Sequence, residues 1–166
     1  MSDRALNIEN LEQQCNNLNN VGDRKTLMYD GYCFILHTTN KFRSESEESC
    51  NDIQSTGAHL AIFLKKEQFE AVNNQLVRVF ANNRAHVGGK QLVLIEPRGG
   101  WFWQTNTHNF PLVYDNTYMY ITHAFPTADE DCLVIWEAYP GGNLDDGSCT
   151  AWAGPYVCQY CKQQYV

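Results

Sequence analysis

The chain has 166 residues, 43% of them hydrophobic and 19% charged, with a formal net charge of −7. That length suits one domain with a hydrophobic core of its own, and the composition excludes disorder and a membrane-embedded chain. No run approaches the ~18 apolar residues of a membrane span, and the acidic balance argues against a nucleic-acid binder, which needs a basic face. Seven cysteines point to an oxidising compartment. Met1-Ser2-Asp3-Arg4 opens without an apolar stretch, so the expectation is that no signal peptide is included and that a leader has been removed or replaced by Met1.

Residues 5–20 read as a short amphipathic helix, with Ile8, Leu11, Cys15 and Leu18 at the spacing of a coiled-coil seam. A helix this short is marginal alone and must pack against the domain or a partner chain. Gly22 to Lys25 reads as a break. Residues 1–28 are therefore assigned as an N-terminal helical segment with a role in oligomerisation, and 29–166 as the main domain. Tyr32 to His37 has the aromatic and β-branched character of a strand. Ser44 with Glu47 has the form of a capping box, opening a helix that runs through Cys50 and Ile53 to a stop at Gly57. Leu60 to Phe63 reads as a short buried strand. Lys65 to Ala81 reads as a second helix, with Phe69, Val72, Leu76, Val79 and Phe80 on its apolar face. Residues 86–166 hold eight of the eleven glycines, all five prolines and all four tryptophans. They read as strands and long loops, which makes the whole an α+β domain.

Charge is unevenly spread. Between Arg98 and Lys162 there is no Lys or Arg, yet the stretch holds Asp115, Asp129, Glu130, Asp131, Glu137, Asp145 and Asp146. Residues 1–98 carry eleven basic and twelve acidic groups, so the net charge sits in the last third of the chain. Clustered carboxylates repel one another unless solvent or a bound cation compensates them. Two readings follow, a solvated acidic surface or a cation site.

Several features occur in a fixed order. Cys50 precedes Gly57-Ala58-His59-Leu60-Ala61-Ile62, then Glu67 and Phe69, then His86-Val87-Gly88-Gly89 and Gly100-Trp101-Phe102-Trp103. Glu130-Asp131-Cys132-Leu133-Val134-Ile135, Asp145-Asp146-Gly147-Ser148-Cys149 and Tyr156-Val157-Cys158 complete the set. Over roughly residues 30–161 this resembles the C-type lectin-like domain. The resemblance implies two helices with small antiparallel sheets and long loops, stapled by the disulfides Cys50–Cys158 and Cys132–Cys149. Cys33 stands where extended members carry a cysteine, but the usual partner a short way upstream is absent. The family fold sets its first and last strands side by side, so Cys33–Cys161 is the expected third bridge. Cys15 is then left as an interchain bridge, giving a homodimer through the N-terminal helix, or as a free thiol. Zinc at Cys158-x-x-Cys161 lacks a second ligand pair.

In sugar-binding members a calcium ion is held by oxygens from a Glu-Pro-Asn or Gln-Pro-Asp tripeptide, a Glu before the third core cysteine, and an Asn-Asp pair before the fourth. Calcium takes six to eight oxygens, and sugar hydroxyls complete the shell. Glu130 falls on the Glu position, and Asp145 and Asp146 fall on the Asn-Asp pair, with Leu144 where a Trp usually stands. The tripeptide has no match: Phe125-Pro126-Thr127 offers only the Thr127 hydroxyl. Asp129 or Asp131 can substitute, and Asp115 or Asn116 can fold back from a long preceding segment. The implied metal ligands are Glu130, Asp145, Asp146 and Asp129. The ligand-binding set is Glu130, Asp145, Asp146, Thr127, Asn143 and Tyr139.

The resemblance places Trp101, Trp103 and Trp136 in strands of the family core, whereas Trp152 is open to either role. Tyr114, Tyr118, Tyr120 and Tyr139 lie in or near the long loops, where a ring can stack on a sugar. His108 and His123 flank the same region, and His86 replaces a usual Trp as a core variation. No Gly-x-Ser-x-Gly, His-Glu-x-x-His or phosphate loop occurs, so an enzyme is not expected. No Asn-x-Ser/Thr sequon occurs either. The resemblance thus implies a secreted, carbohydrate-binding, calcium-dependent lectin with a glycan partner. The competing reading is a calcium-independent lectin-like domain that binds protein, lipid or mineral matrix.

Overall fold

The structure, a computed structural model, describes residues 3–19, 21–53, 57–79, 84–93, 99–115, 117–119, 131–136 and 142–160. Its helices are α1 (Asp3–Leu18), α2 (Arg43–Ile53) and α3 (Lys66–Val79). The strands, in chain order, are β1 (Arg24–Tyr29), β2 (Tyr32–Lys41), β3 (His59–Leu60), β4 (Arg84–Gln91), β5 (Trp101–Gln104), β6 (Asn109–Pro111), β7 (Cys132–Trp136), β8 (Asn143–Gly147) and β9 (Gly154–Tyr160).

Arg24 and Lys25, expected to lie in a break, instead open the strand β1. Asp30 and Gly31 have φ of 52° and 78°, the left-handed pair a type I′ turn demands. The turn sets Tyr29 opposite Tyr32 and zips β1 to β2. β2 continues antiparallel onto β9, with Ile35 opposite Cys158. β9 takes β3 antiparallel and meets β4 through one parallel pair, His86 with Tyr156. β4 then carries β5 and β6 in one direction and β7 and β8 in the other. The α+β class holds, with the strands joined into one mixed network rather than into separate antiparallel sheets.

Strand alternation divides the core in two. Phe34 and Leu36 of β2 join Phe69, Val72 and Leu76 of α3, with Trp101, Trp103, Leu133 and Val157. Cys33 and Ile35 point the other way, to Leu11 and Cys15 of α1 and Cys50 of α2. Leu11, Cys15 and Leu18 of the α1 stripe thus pack against the same chain, and the Tyr160 hydroxyl donates to Gln14 Oε1 at 3.1 Å. The side chain of Ile8, like Phe80 and Ala81 beyond α3, lies outside the described residues. Leu60–Phe63 is a ladder only at Leu60, although the Ala61 N–H still donates to the Val157 carbonyl at 2.8 Å. Capping of α2 falls two residues before the Ser44–Glu47 box. Glu45 Oε2 accepts the Phe42 N–H at 3.0 Å, while Ser46 Oγ donates to the Phe42 carbonyl at 2.9 Å.

The disulfides are Cys15–Cys33, Cys50–Cys158 and Cys132–Cys149. The first corrects two expectations, Cys33–Cys161 and an interchain or free Cys15. Docking of α1 on β2 brings the Cα atoms of Cys15 and Cys33 to 5.7 Å, within bridging distance. Cys15 is therefore not available to a partner chain. Cys161 lies outside the described residues.

Candidate functional site

β8 enters the sheet beside β7, and the Cys132–Cys149 disulfide closes the pair at one end. Its sequence, Asn143-Leu144-Asp145-Asp146-Gly147, is a poor strand former by composition. It is held as a strand by five residue pairs to β7 and by a hydrogen bond at 2.8 Å from the Leu144 N–H to the Tyr118 carbonyl. Leu144 is fully buried in the larger core. Asp145 stands opposite Val134 and Asp146 opposite Leu133. Strand alternation therefore places Asn143 and Asp145 on one face and Asp146 on the other.

Both carboxylates are largely removed from solvent, at 9% exposure for Asp145 and 6% for Asp146. Asp145 Oδ1 accepts the Asp146 N–H at 2.9 Å, so its side chain bends along the strand towards its neighbour. Asp131, just before β7, is half-buried, and its carbonyl accepts the Gln91 N–H at 2.7 Å. Asp115 caps the 115–119 turn instead: Oδ1 accepts the Thr117 N–H at 2.8 Å, and bonding to Thr117 holds its carboxyl below the usual range. Thr127, Asp129, Glu130 and Tyr139 lie outside the described residues, as do Asn116, Tyr120 and His123. The structure thus brings together Asn143, Asp145 and Asp146 on one strand. Among the described residues, no three His, Cys, Asp or Glu side chains converge as a metal site. The donors on β8 are all oxygen, two carboxylates and one carboxamide, which is the chemistry a hard cation such as calcium selects.

The aromatic residues separate by burial. Trp101 and Trp103 are core, and Phe63 meets the Trp103 ring edge-on at 5.9 Å. Trp136 lies under the Arg84 guanidinium at 3.2 Å. Tyr118 is not a loop platform. It packs on Phe69 at 5.5 Å, and burial pushes its hydroxyl up to about 12. Tyr114 is half-buried and donates to the Met119 carbonyl at 3.3 Å. Trp152 packs on His86, with ring centres 4.5 Å apart. His108 is exposed and bonded to Thr107 at 2.8 Å.

A family profile described as Lectin C-type domain matches residues 39–160. Similar solved structures include a calcium-dependent type II antifreeze protein in its calcium-free form. It is 23% identical with a TM-score of 0.59, and the match covers 84% of this chain and 98% of that one. The calcium-independent C-type lectin SPL-2 from Saxidomus purpuratus is 15% identical with a TM-score of 0.61, over 86% and 94% of the two chains. A complex of SPL-1 with GlcNAc is 17% identical with a TM-score of 0.63, over 86% and 96%. No curated protein matches the sequence significantly.

Proposed function

The chain belongs to the C-type lectin domain family, and from that premise we propose that it is a secreted, calcium-dependent carbohydrate-binding domain rather than an enzyme. The observation that supports this reading is β8, whose Asp145 and Asp146 carboxylates and Asn143 carboxamide lie in a stretch without Lys or Arg. Carboxylate and carboxamide oxygens are the donors that a hard cation such as calcium selects. In this reading Glu130 and Asp129 complete the ligand set, while Thr127 and Tyr139 contact the sugar. A calcium ion held there would supply a positive centre for the vicinal hydroxyls of a sugar. The absent tripeptide makes the site non-standard, so sugar preference follows from the β8 residues and their loops. GlcNAc, the sugar bound by SPL-1, is the first ligand to try.

The test is thermal unfolding in calcium against chelator. Extracellular calcium modules bind at about 10⁻⁴–10⁻³ M, so ~10 mM calcium should stabilise by roughly 1.4–2.7 kcal/mol. For a domain of this size that raises Tm by roughly 3–10 °C. The increment should vanish in Asp146→Ala, and retention on immobilised GlcNAc should be reversed by chelator. An unchanged Tm would replace this reading with the calcium-independent one, for which SPL-2 is the structural precedent.

A further inference from the structure

A row of side chains runs across the sheet on its α2 side. His37 of β2 stands opposite Tyr156 of β9, Tyr156 beside His86 of β4, and His86 opposite Val134 of β7. Residues paired in this way present their side chains to one face. Both histidines are buried, at 2% exposure for His37 and 0% for His86. The His37 ring stacks on Tyr156 with centres 4.3 Å apart and planes within 7°, while His86 packs on Trp152. The junction already holds positive charge. Arg43 of α2, itself buried, donates to the Gly89 carbonyl at 3.0 Å, and Lys41 Nζ lies 5.9 Å from the centre of the Tyr156 ring.

We propose that this row is an acid-sensitive latch: neutral His37 and His86 hold β2, β9 and β4 together beneath α2, and protonating them releases the junction. A charge placed on either ring loses its hydration and meets other cations. The groups acting on His37 are Asp23, which accepts at 3.4 Å from Nδ1, together with Arg24 and Lys41. Those acting on His86 are Arg43, itself opposed by Glu47, and the main chain of Trp152 and Lys41. Burial dominates at both sites and pushes each ring down to about 4, with Arg43 adding to the effect at His86 and Asp23 opposing it at His37.

An unfolded histidine takes up its proton near pH 6.5, whereas these two do so only near 4 in the folded chain. Between those values the unfolded chain binds more protons, so stability falls as pH falls, and the loss is complete below about 4. Burial also holds the His59 ring below its ordinary value, and at Asp23 hydrogen bonds from Thr39 and the nearby His37 outweigh burial and hold the carboxyl below its own. β7 and β8 hang from β4, so the surface they carry goes with the junction. The latch belongs to the fold and works whether or not the domain binds calcium or sugar.

The experiment is urea unfolding from pH 7.5 to 4.5 without calcium, on the parent protein, His37→Gln and His86→Gln. Each histidine raises the unfolding constant by at most about tenfold per pH unit, so the pair gives up to ~100-fold. Each variant should lose up to a tenfold share of that slope. Equal slopes in all three proteins would overturn the proposal. An NMR titration of the folded parent needs no variant to fold: the His37 and His86 imidazole signals should stay neutral down to pH 5. Titration of these two rings near 6.5 would equally overturn it.

Discussion

Gly154 opens β9 with the Trp152 indole lying against it. A Cβ built there would fall inside contact distance of three ring atoms, Cζ2, Cη2 and Cε2. Trp152 in turn covers the fully buried ring of His86. A methyl group at residue 154 must therefore push the indole off His86 or strain the strand where Gly154 pairs with Lys41. Overpacking of this kind costs about 1–3 kcal/mol. Gly154→Ala is expected to lower the unfolding free energy measured in urea by that amount, with a lower midpoint, and to shift tryptophan emission to the red as Trp152 becomes wetter. An unchanged spectrum and midpoint would mean that Trp152 is free to leave, as a ligand-stacking ring would be. The sequence alone left both roles open for Trp152, because spacing carries no information about which backbone approaches an indole. Tyr118 was ambiguous for the same reason, and its contact with Phe69 assigns it to the core.

Among the elements, α1 and the β1–β2 hairpin depend on each other. α1 has only Leu11, Cys15 and Leu18 to bury among its described side chains, too little to hold a helix of this length in isolation. It docks because β1 and β2 supply a surface and Cys33 supplies a covalent anchor. The hairpin was legible: Asp30-Gly31 is a strong two-residue turn signal, and reading it would have exposed β1 and brought Cys33 up to α1. The seam spacing of α1 marks a stripe that has to be covered, but a stripe does not say whose surface it meets. Cys15→Ser is expected to lose about 3 kcal/mol on the chain-entropy account of an 18-residue loop. One additional free thiol, from Cys33, should appear in the folded protein. Non-reducing electrophoresis should show no covalent dimer lost by this substitution, since the Cys15 bridge lies within one chain. Loss of a dimer band would contradict the intrachain pairing.

Across the whole molecule, the ordered cysteines and the Trp101–Trp103 pair carried the fold, because both mark points where distant parts of the chain must meet. The β8 carboxylates were legible as a cluster, since no Lys or Arg lies between Arg98 and Lys162. Their distribution over two faces of β8 was not, because it depends on register against β7. The same long-range geometry separates the three disulfides in weight. Cys50–Cys158 closes 108 residues and ties α2 to β9, whereas Cys15–Cys33 and Cys132–Cys149 close 18 and 17. If restriction of the unfolded chain is what counts, the long bridge contributes roughly 5 kcal/mol and each short one roughly 3. Total stability of a domain is only about 5–15 kcal/mol, so the double substitution Cys50→Ala/Cys158→Ala should remove about a third of it or more and give the less stable of the two bridge variants. Removing Cys132 and Cys149 together should leave a folded domain with a lower urea midpoint. Circular dichroism of the two variants at one temperature decides the matter. Equal losses would assign the stabilisation to local packing around each sulfur pair rather than to loop length.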